Sequence, residues 1–470
     1  MKKYTISSSI LVPLLFLGFL LCSSCLLYKD PSKQRTDGLK ASASILENIE
    51  VPDDWILQRT DSLTPQFDLD WIKELQDSLL TNLIAEGLAY NSQIIIAREK
   101  LNQIEIALDI SGSNLYPSVN AVGGTNTSLD TGNNLNSLAF KASWELDIWG
   151  KNRSGFEADK RSYFSSKYQY DRLKQSIAAL IAKSYFLTIA GSLQQEKFNM
   201  LIANTEKLRD IIELRKEIGT ANDLDISNIN LEINQLKGRL VAIENSLVQA
   251  RRGLELLLGR YPKGEIATKT KFPRLNNPVP ETLPLQLLEN RPDILASHYQ
   301  IENAFWEVQE AKAARLPSLN ISSSFGVASS NVQAVNSLFS NPLLNIGGGM
   351  VTPIFNGGKL KRNVEIQNSK QKEAVEQYAA NVLNALNEVE TSWANLHAYT
   401  AQFSFEDSAI KELERNILLT EKQIEQGSSN TYVLLQKKRN LLKNEIGLIT
   451  LGLNYIVERI NLYMALGGNS

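Results

Sequence analysis

Few side chains in this 470-residue chain are of the kinds that catalyse reactions or hold metals. The two histidines, His298 and His397, fall in separate predicted helices and read as ordinary helix residues rather than ligands. The two cysteines, Cys22 and Cys25, both lie at the end of an N-terminal apolar segment. No glycine loop is built to cradle phosphate, and the remaining carboxylates are scattered as they commonly are on helical faces. Catalysis needs a nucleophile, base and stabilising donors brought together. This chain offers no such set, so neither enzyme activity nor a cofactor is expected.

The chemistry the cysteines do suit is lipid attachment. Lys2 and Lys3 precede an apolar run from Ile10 to Leu21, which ends in Ser23-Ser24-Cys25. This is a secretory signal over residues 1–24, too short and wrongly flanked for a membrane-spanning helix. Small residues before a cysteine resemble a bacterial lipobox, with Cys25 as the lipidated first residue of the mature chain. Cys22 departs from the leucine usual there, and plain signal-peptidase cleavage nearby is the alternative reading. Either way the mature chain keeps at most one cysteine, and no intrachain disulfide can form.

Composition narrows the function further. At 43% apolar and 21% charged, with a net charge of −2, the chain can build a core but has no basic surface for nucleic acid. No segment after the signal offers 18 consecutive apolar residues, so a membrane crossing would have to use strands.

Strand-like alternation is present. Leu138, Phe140, Ala142, Trp144, Leu146 and Ile148 interleave with Ala139, Lys141, Ser143, Glu145 and Asp147. Leu319, Ile321, Ser323, Phe325 and Val327 interleave with Asn320, Ser322, Ser324 and Gly326. Apolar-out, polar-in segments of about ten residues, ended by aromatics such as Trp149 and Phe355, match transmembrane barrel strands. A soluble two-layer sheet would show the same alternation. On the barrel reading Lys141, Glu145 and Asp147 face a lumen.

The elements that position these strands come twice. Gly150-Lys151, Gly219, Asn222 and Leu258-Gly259 recur 208 positions later as Gly358-Lys359, Gly427, Asn430 and Leu466-Gly467. Leu88, Ile94, Pro117-Ser118 and Asn120 recur at an offset of 200 as Leu288, Ile294, Pro317-Ser318 and Asn320. One structural unit is therefore used twice, with eight extra residues between Pro317 and Gly358. No proline occurs between Pro117 and Pro262 or after Pro353, and six crowd into 262–292. Because proline breaks helix interiors, this predicts very long helices joined by an extended crossover. Leu173, Ile177, Leu180, Ser184 and Leu187 form a coiled-coil stripe. So do Val375, Tyr378, Val382, Leu386, Val389, Trp393 and Leu396. Helices are expected near 152–218, 223–258, 360–426 and 431–466. The tips Gly219-Thr220-Ala221-Asn222 and Gly427-Ser428-Ser429-Asn430 supply an αL glycine and a capping asparagine.

The expected organisation follows. Residues 1–24 are signal and 25–70 a lipid-anchored tail. The first repeat spans 71–260, with strands at about 115–149 and long helices over 152–258. A proline-rich linker covers 261–284. The second repeat spans 285–470, with strands at about 317–356 and helices over 360–466. Four strands cannot close a membrane barrel, and open edges cannot face lipid. Three copies would give twelve strands continued by a helical barrel, which is a water-filled conduit.

The residues also resemble a family. Trp71, Asp77, Leu83-Ile84, Leu88, Asn91 and Leu115-Tyr116-Pro117-Ser118 are similar to the TolC-type outer-membrane efflux proteins, in their lipidated NodT/OprM-like branch. So are Ser143-Trp144-Glu145-Leu146-Asp147-Ile148-Trp149-Gly150 and, in the second copy, Asn290-Arg291-Pro292-Asp293-Ile294. Ala314-Arg315-Leu316-Pro317-Ser318 and Thr352-Pro353-Ile354-Phe355-Asn356-Gly357-Gly358 complete the set, and the likeness covers about 70–467. It implies a homotrimeric outer-membrane channel with a periplasmic α-barrel, docking a periplasmic adaptor and an inner-membrane pump. In such channels the helical tips close the resting pore and meet the adaptor. By position this implies Glu421, Glu425, Gln426 and Tyr432 as gate residues. Arg215, Lys216, Asp223 and Asp225 would be their latch partners, beside Gly219, Asn222, Gly427 and Asn430. Ser428 and Ser429 stand where an acidic pair is expected. The aspartates have a plainer use, since first-turn carboxylates stabilise a helix dipole. Glu145 and Asp147 would line the lumen near the barrel's periplasmic end.

Three other readings use the same features. A protein-secretion duct would share this architecture. A periplasmic adaptor would show one hairpin beside a small β domain, and a coiled-coil scaffold would need no polar-in strands.

Overall fold

The computed structural model describes residues 71–127, 134–273, 291–329 and 343–468. The signal segment, the tail with Cys25, the later part of the proline-rich linker and the middle of both strand-joining stretches lie outside the described residues.

In chain order the elements are α1 (Trp71–Glu74), α2 (Ser78–Tyr90), α3 (Ser92–Ser113), β1 (Ser118–Thr127), β2 (Asn134–Leu146), α4 (Lys151–Glu217) and α5 (Asp223–Leu257). They continue with α6 (Pro292–Ala313), β3 (Ser318–Ser329), β4 (Leu343–Val351), α7 (Lys359–Glu425) and α8 (Thr431–Ala465). The duplication is visible in these bounds. The starts of α3 and β1 recur 200 residues later in α6 and β3. Both ends of α4 and α5 recur 208 residues later in α7 and α8. The 67-residue helices α4 and α7 would each extend roughly 100 Å at about 1.5 Å per residue.

The chain folds as two compact units. The first comprises Ile106–Tyr163 and Ser297–Ala379 and holds the sheet. Its strands pair antiparallel in the order β1-β2-β3-β4. The register joins Phe140 to both Ala121 and Phe325, and Trp144 to Ile321. Opposed residues share a face, so Val119, Leu138, Phe140, Trp144, Ile321, Phe325, Leu344 and Ile346 make one apolar side. Most of that side is exposed within the single chain. The centre of the sheet, where the two repeats meet, is held close by Gly326. A Cβ there would lie 2.5 Å from both the Ala139 Cβ and the Leu138 carbonyl oxygen.

The second unit comprises the described residues of 71–105, 164–296 and 380–468 and is helical. Asp77 caps α2 by accepting from the Leu79 and Leu80 amides at 3.0 and 3.2 Å, and Asn91 caps α3 in the same way. The core is built on Trp71, Leu80, Ile177, Ala178, Ile181, Ala182, Tyr185, Phe186, Ile189, Leu254 and Ile460. One expected stripe is only partly covered within the single chain. Leu180 and Leu187 are 46% and 48% exposed, while the face through Ile177, Ile181, Tyr185 and Ile189 is buried. Alanines at 178 and 182 let neighbouring helices approach on that side, which a count of large apolar residues does not register. The second stripe is placed as expected, with Val375, Val382, Val389 and Leu396 all buried. α4 does contain a stretch long and apolar enough to cross a membrane, at mean hydropathy 1.5, but 56% of it is buried in the protein.

Candidate functional site

The polar side of the sheet is built row by row. One row reads Ser118, Ser143, Ser322 and Gly347, and the next Asn120, Lys141, Ser324 and Asn345. Val122, Ala139, Gly326 and Leu343 follow. Small, hydroxyl and amide side chains hydrogen-bond water well and keep such a face wet. Lys141 stands exposed in its row. Glu145 lies on the same face at the helix end of β2, where its carboxylate pairs with Lys151 at 2.6 Å.

Asp147 has a capping role that its alternation did not suggest. It lies beyond the last residue of β2, and its carboxylate accepts from the Asn152 and Arg153 amides at 3.1 and 2.8 Å. It thereby satisfies orphan donors of the first turn of α4, and Arg153 reaches back to its carbonyl at 3.0 Å. Beside it, Trp149 Nε1 donates to the Pro317 carbonyl at 2.7 Å, and Trp144 Nε1 to that of Leu115 at 3.1 Å. The conspicuous strand-to-helix run of the sequence is thus a clasp between β2, α4 and the start of β3.

The hairpin tips belong to the second unit. Gly219 and Gly427 adopt φ of +75° and +72°, the left-handed conformation that favours glycine after a helix. Thr220 and Ser428 occupy matched positions, their amides and hydroxyls donating back to the Arg215 and Gln423 carbonyls. Asn222 and Asp225 form a reciprocal capping box at 3.1 and 2.9 Å, and Asn430 accepts from the Val433 amide at 3.2 Å. Lys216 pairs with Asp223 at 2.5 Å inside the first hairpin, and Glu421 with Lys438 at 3.1 Å inside the second. Glu425 and Gln426 are exposed at the end of α7.

One expected tip pair does join the hairpins. The Arg215 guanidinium lies 5.0 Å from the centre of the Tyr432 ring. Tyr432 and Leu435 pack against the cluster of Leu208, Ile212, Ile229 and Ile233. Behind this contact is a cavity of about 520 Å³, lined partly by Arg215, Asp225, Glu232, Tyr432 and Arg439. A second crossing contact escaped the sequence reading. Glu232 of α5 accepts from Arg439 at 2.7 Å and from Lys443 at 3.0 Å on α8. The only signal was two cations four residues apart on α8, which is commonplace on an exposed helix.

Among the described residues no cluster of His, Cys, Asp and Glu is arranged to hold a metal. Buried charges instead tie helix ends together. Arg291 grips Asp293, Glu388 and the Ala465 carbonyl, and Arg459 pairs with Glu74 in the core.

Known proteins share this arrangement. The chain is 25% identical to the pyoverdine export outer membrane protein OpmQ of Pseudomonas aeruginosa, over 85% of this chain and 87% of that one. It is 26% identical to the probable outer membrane lipoprotein SilC of Salmonella typhimurium, over 89% and 92%. Its fold matches the open-state crystal structure of the MtrE outer membrane channel of Neisseria gonorrhoeae. That match has a TM-score of 0.77 at 23% identity and covers 89% of this chain and 96% of the other. Residues 83–260 and 283–468, both halves of the duplication, match one family, and the chain belongs to the outer membrane efflux proteins.

Proposed function

We propose that three copies of this outer-membrane efflux channel close their sheets into one barrel of twelve strands, opened and shut at the hairpin tips. The observation that carries the reading is the sheet itself. It has one apolar face, one polar face and two open edges, β1 and β4. Unpaired edge groups in lipid cost several kcal/mol each, so edges of neighbouring copies must pair. Strands of 9 to 13 residues suit a tilted crossing of about 30 Å of hydrocarbon. Exposed Leu180, Leu187, Leu383 and Phe405 supply apolar surface for neighbours to cover.

The conduit passes small molecules without catalysis. A periplasmic adaptor meets the tips around Asn222 and Asn430, and an inner-membrane pump drives the cargo. Cys25 carries the lipid of the NodT/OprM-like branch after signal removal, a reading supported by the name of the SilC lipoprotein. A protein-secretion duct is the second architecture with this form. The small-molecule reading is favoured by likeness to a pyoverdine exporter. Photocrosslinkers at Asn222 and Asn430 should capture an adaptor in cells. Recovery of no adaptor from either position would remove the tripartite reading.

Gate residues follow from which contacts cross between hairpins. Lys216–Asp223 and Glu421–Lys438 each stay inside one hairpin, so they shape a tip without latching it. Arg215–Tyr432 crosses, and a cation–π contact at a surface is worth about 0.5–1 kcal/mol. Arg215→Ala should therefore raise the open probability of the resting channel about two- to fivefold in planar bilayers. Lys216→Ala should leave it unchanged. Equal effects from both would dissociate the latch from this contact.

A further inference from the structure

The four strands carry two charged side chains, Lys141 and Glu145, and both lie on the polar face. Glu145 is compensated by Lys151 at 2.6 Å. Lys141 is exposed among Asn120, Ser324 and Asn345, with no ion-pair partner among the described residues. The adjacent rows contain only neutral side chains. The polar face therefore carries one uncompensated positive charge per chain.

We propose that Lys141 makes the strand-lined section of the conduit anion-selective, so that small molecules bearing negative charge pass in preference to cations of equal size. The proposal rests on the trimeric conduit, in which three ammonium groups form a ring at one level of the barrel. Twelve strands spaced about 4.8 Å apart and tilted by about 40° give a backbone radius of roughly 12 Å. An extended lysine stem covers about 6 Å of that, leaving each ammonium about 6 Å from the axis. Screening then decides the size of the effect. At 0.1 M salt the Debye length of about 10 Å exceeds that gap, and the ring enriches anions on the axis about fivefold. At 1 M salt the length falls to about 3 Å and the enrichment drops below about twofold.

The test is the reversal potential of the purified full chain in planar bilayers under a KCl gradient centred near 0.1 M. The wild type should favour chloride. Lys141→Gln should lose that preference, by up to about 25-fold in the chloride-to-potassium permeability ratio, since anions are enriched and cations depleted about fivefold each, and Lys141→Glu should reverse it. Both shifts should shrink in a gradient centred near 1 M, as a structural effect of the substitution would not. Single-channel steps of wild-type size at about 1 M salt, where the ring is screened, show that the barrel still forms in the variants. Equal reversal potentials for all three proteins would overturn the role of Lys141. Absence of channels from the wild type would overturn the conduit itself, a distinguishable failure.

Discussion

Replacing Arg291 by leucine is expected to destabilise the helical unit by about 3 kcal/mol, read from denaturation of the detergent-solubilised protein. The guanidinium is 2% exposed. Its Nε and Nη2 fork onto the Asp293 carboxylate at 3.0 and 2.6 Å, while Nη1 donates to Glu388 at 2.8 Å and to the Ala465 carbonyl at 3.0 Å. Burial disfavours its charge, but Asp293 and Glu388 more than restore it and hold its pKa above the ordinary arginine value. Breaking a buried pair costs about 3–5 kcal/mol, because the abandoned partner stays desolvated. Glu388 is half exposed and can return to water, and Asp293 keeps Arg172 at 3.7 Å, so the lower end applies. Arg291→Lys should recover less than half of the loss, since an ammonium cannot fork onto a carboxylate while also reaching the α8 terminus.

Pseudo-symmetry sharpens this expectation. In the first repeat the position equivalent to Arg291 is Asn91, whose Nδ2 donates to the Leu257 carbonyl at 2.8 Å. Leu257 and Ala465 are themselves equivalent, so each repeat clasps the last residue of its returning helix from the same place. One repeat uses a neutral amide and the other a charged fork. Asn91→Ala should therefore cost less, about 1–2 kcal/mol.

Glu255→Ala is the other change with a large expected effect, about 3–4 kcal/mol. This buried carboxylate sits in the last turns of α5 and accepts three successive amides, from Gly264 at 2.6 Å, Glu265 at 2.9 Å and Ile266 at 3.0 Å. It folds the chain back so that Ile266 enters the main core. Burial alone would lift its pKa, but the three amides and Arg260 outweigh it and hold the carboxyl below the ordinary glutamate value of 4.5. A depressed native pKa means the stabilisation is complete above the unfolded value and is lost as pH falls through the native one. Wild-type stability should thus fall below about pH 4.5, and Glu255→Gln should flatten that part of the profile. Identical acid profiles for the two proteins would show that Glu255 is not the group responsible.

The fold was legible where the information is local and repeated. Proline-free tracts announced α4, α5, α7 and α8, and glycine with asparagine marked both turns. Alternation identified β2 and β3, and the register confirms that their apolar residues share a side. The stretches 122–137 and 328–345, rich in Gly, Asn and Ser, read as loops, yet Val122–Thr127 belongs to β1 and Leu343–Asn345 to β4. Legibility failed where a residue's role is set by partners far along the chain. Arg291 and Ala465 are 174 residues apart, and Glu232 and Arg439 are 207 apart. Leu180 and Leu187 mark a coiled-coil stripe by type, but within one chain the buried side of α4 is taken by small Ala178 and Ala182, which a count of large apolar residues does not register. Asp147 continued the strand alternation by type, but the helix beginning at Lys151 claimed it as a cap. Among the tip residues, type and position suggested a gate and could not say which pairs cross. Geometry singles out Arg215 with Tyr432.

In the proposed trimer this chain is one third of a conduit whose wall it cannot close alone. Single-channel recording on the purified protein, with its mass measured in the same detergent, tests the trimer and its pore together. A trimeric mass and long-lived, water-filled conductance steps are expected. A monomeric species with no steps would contradict both.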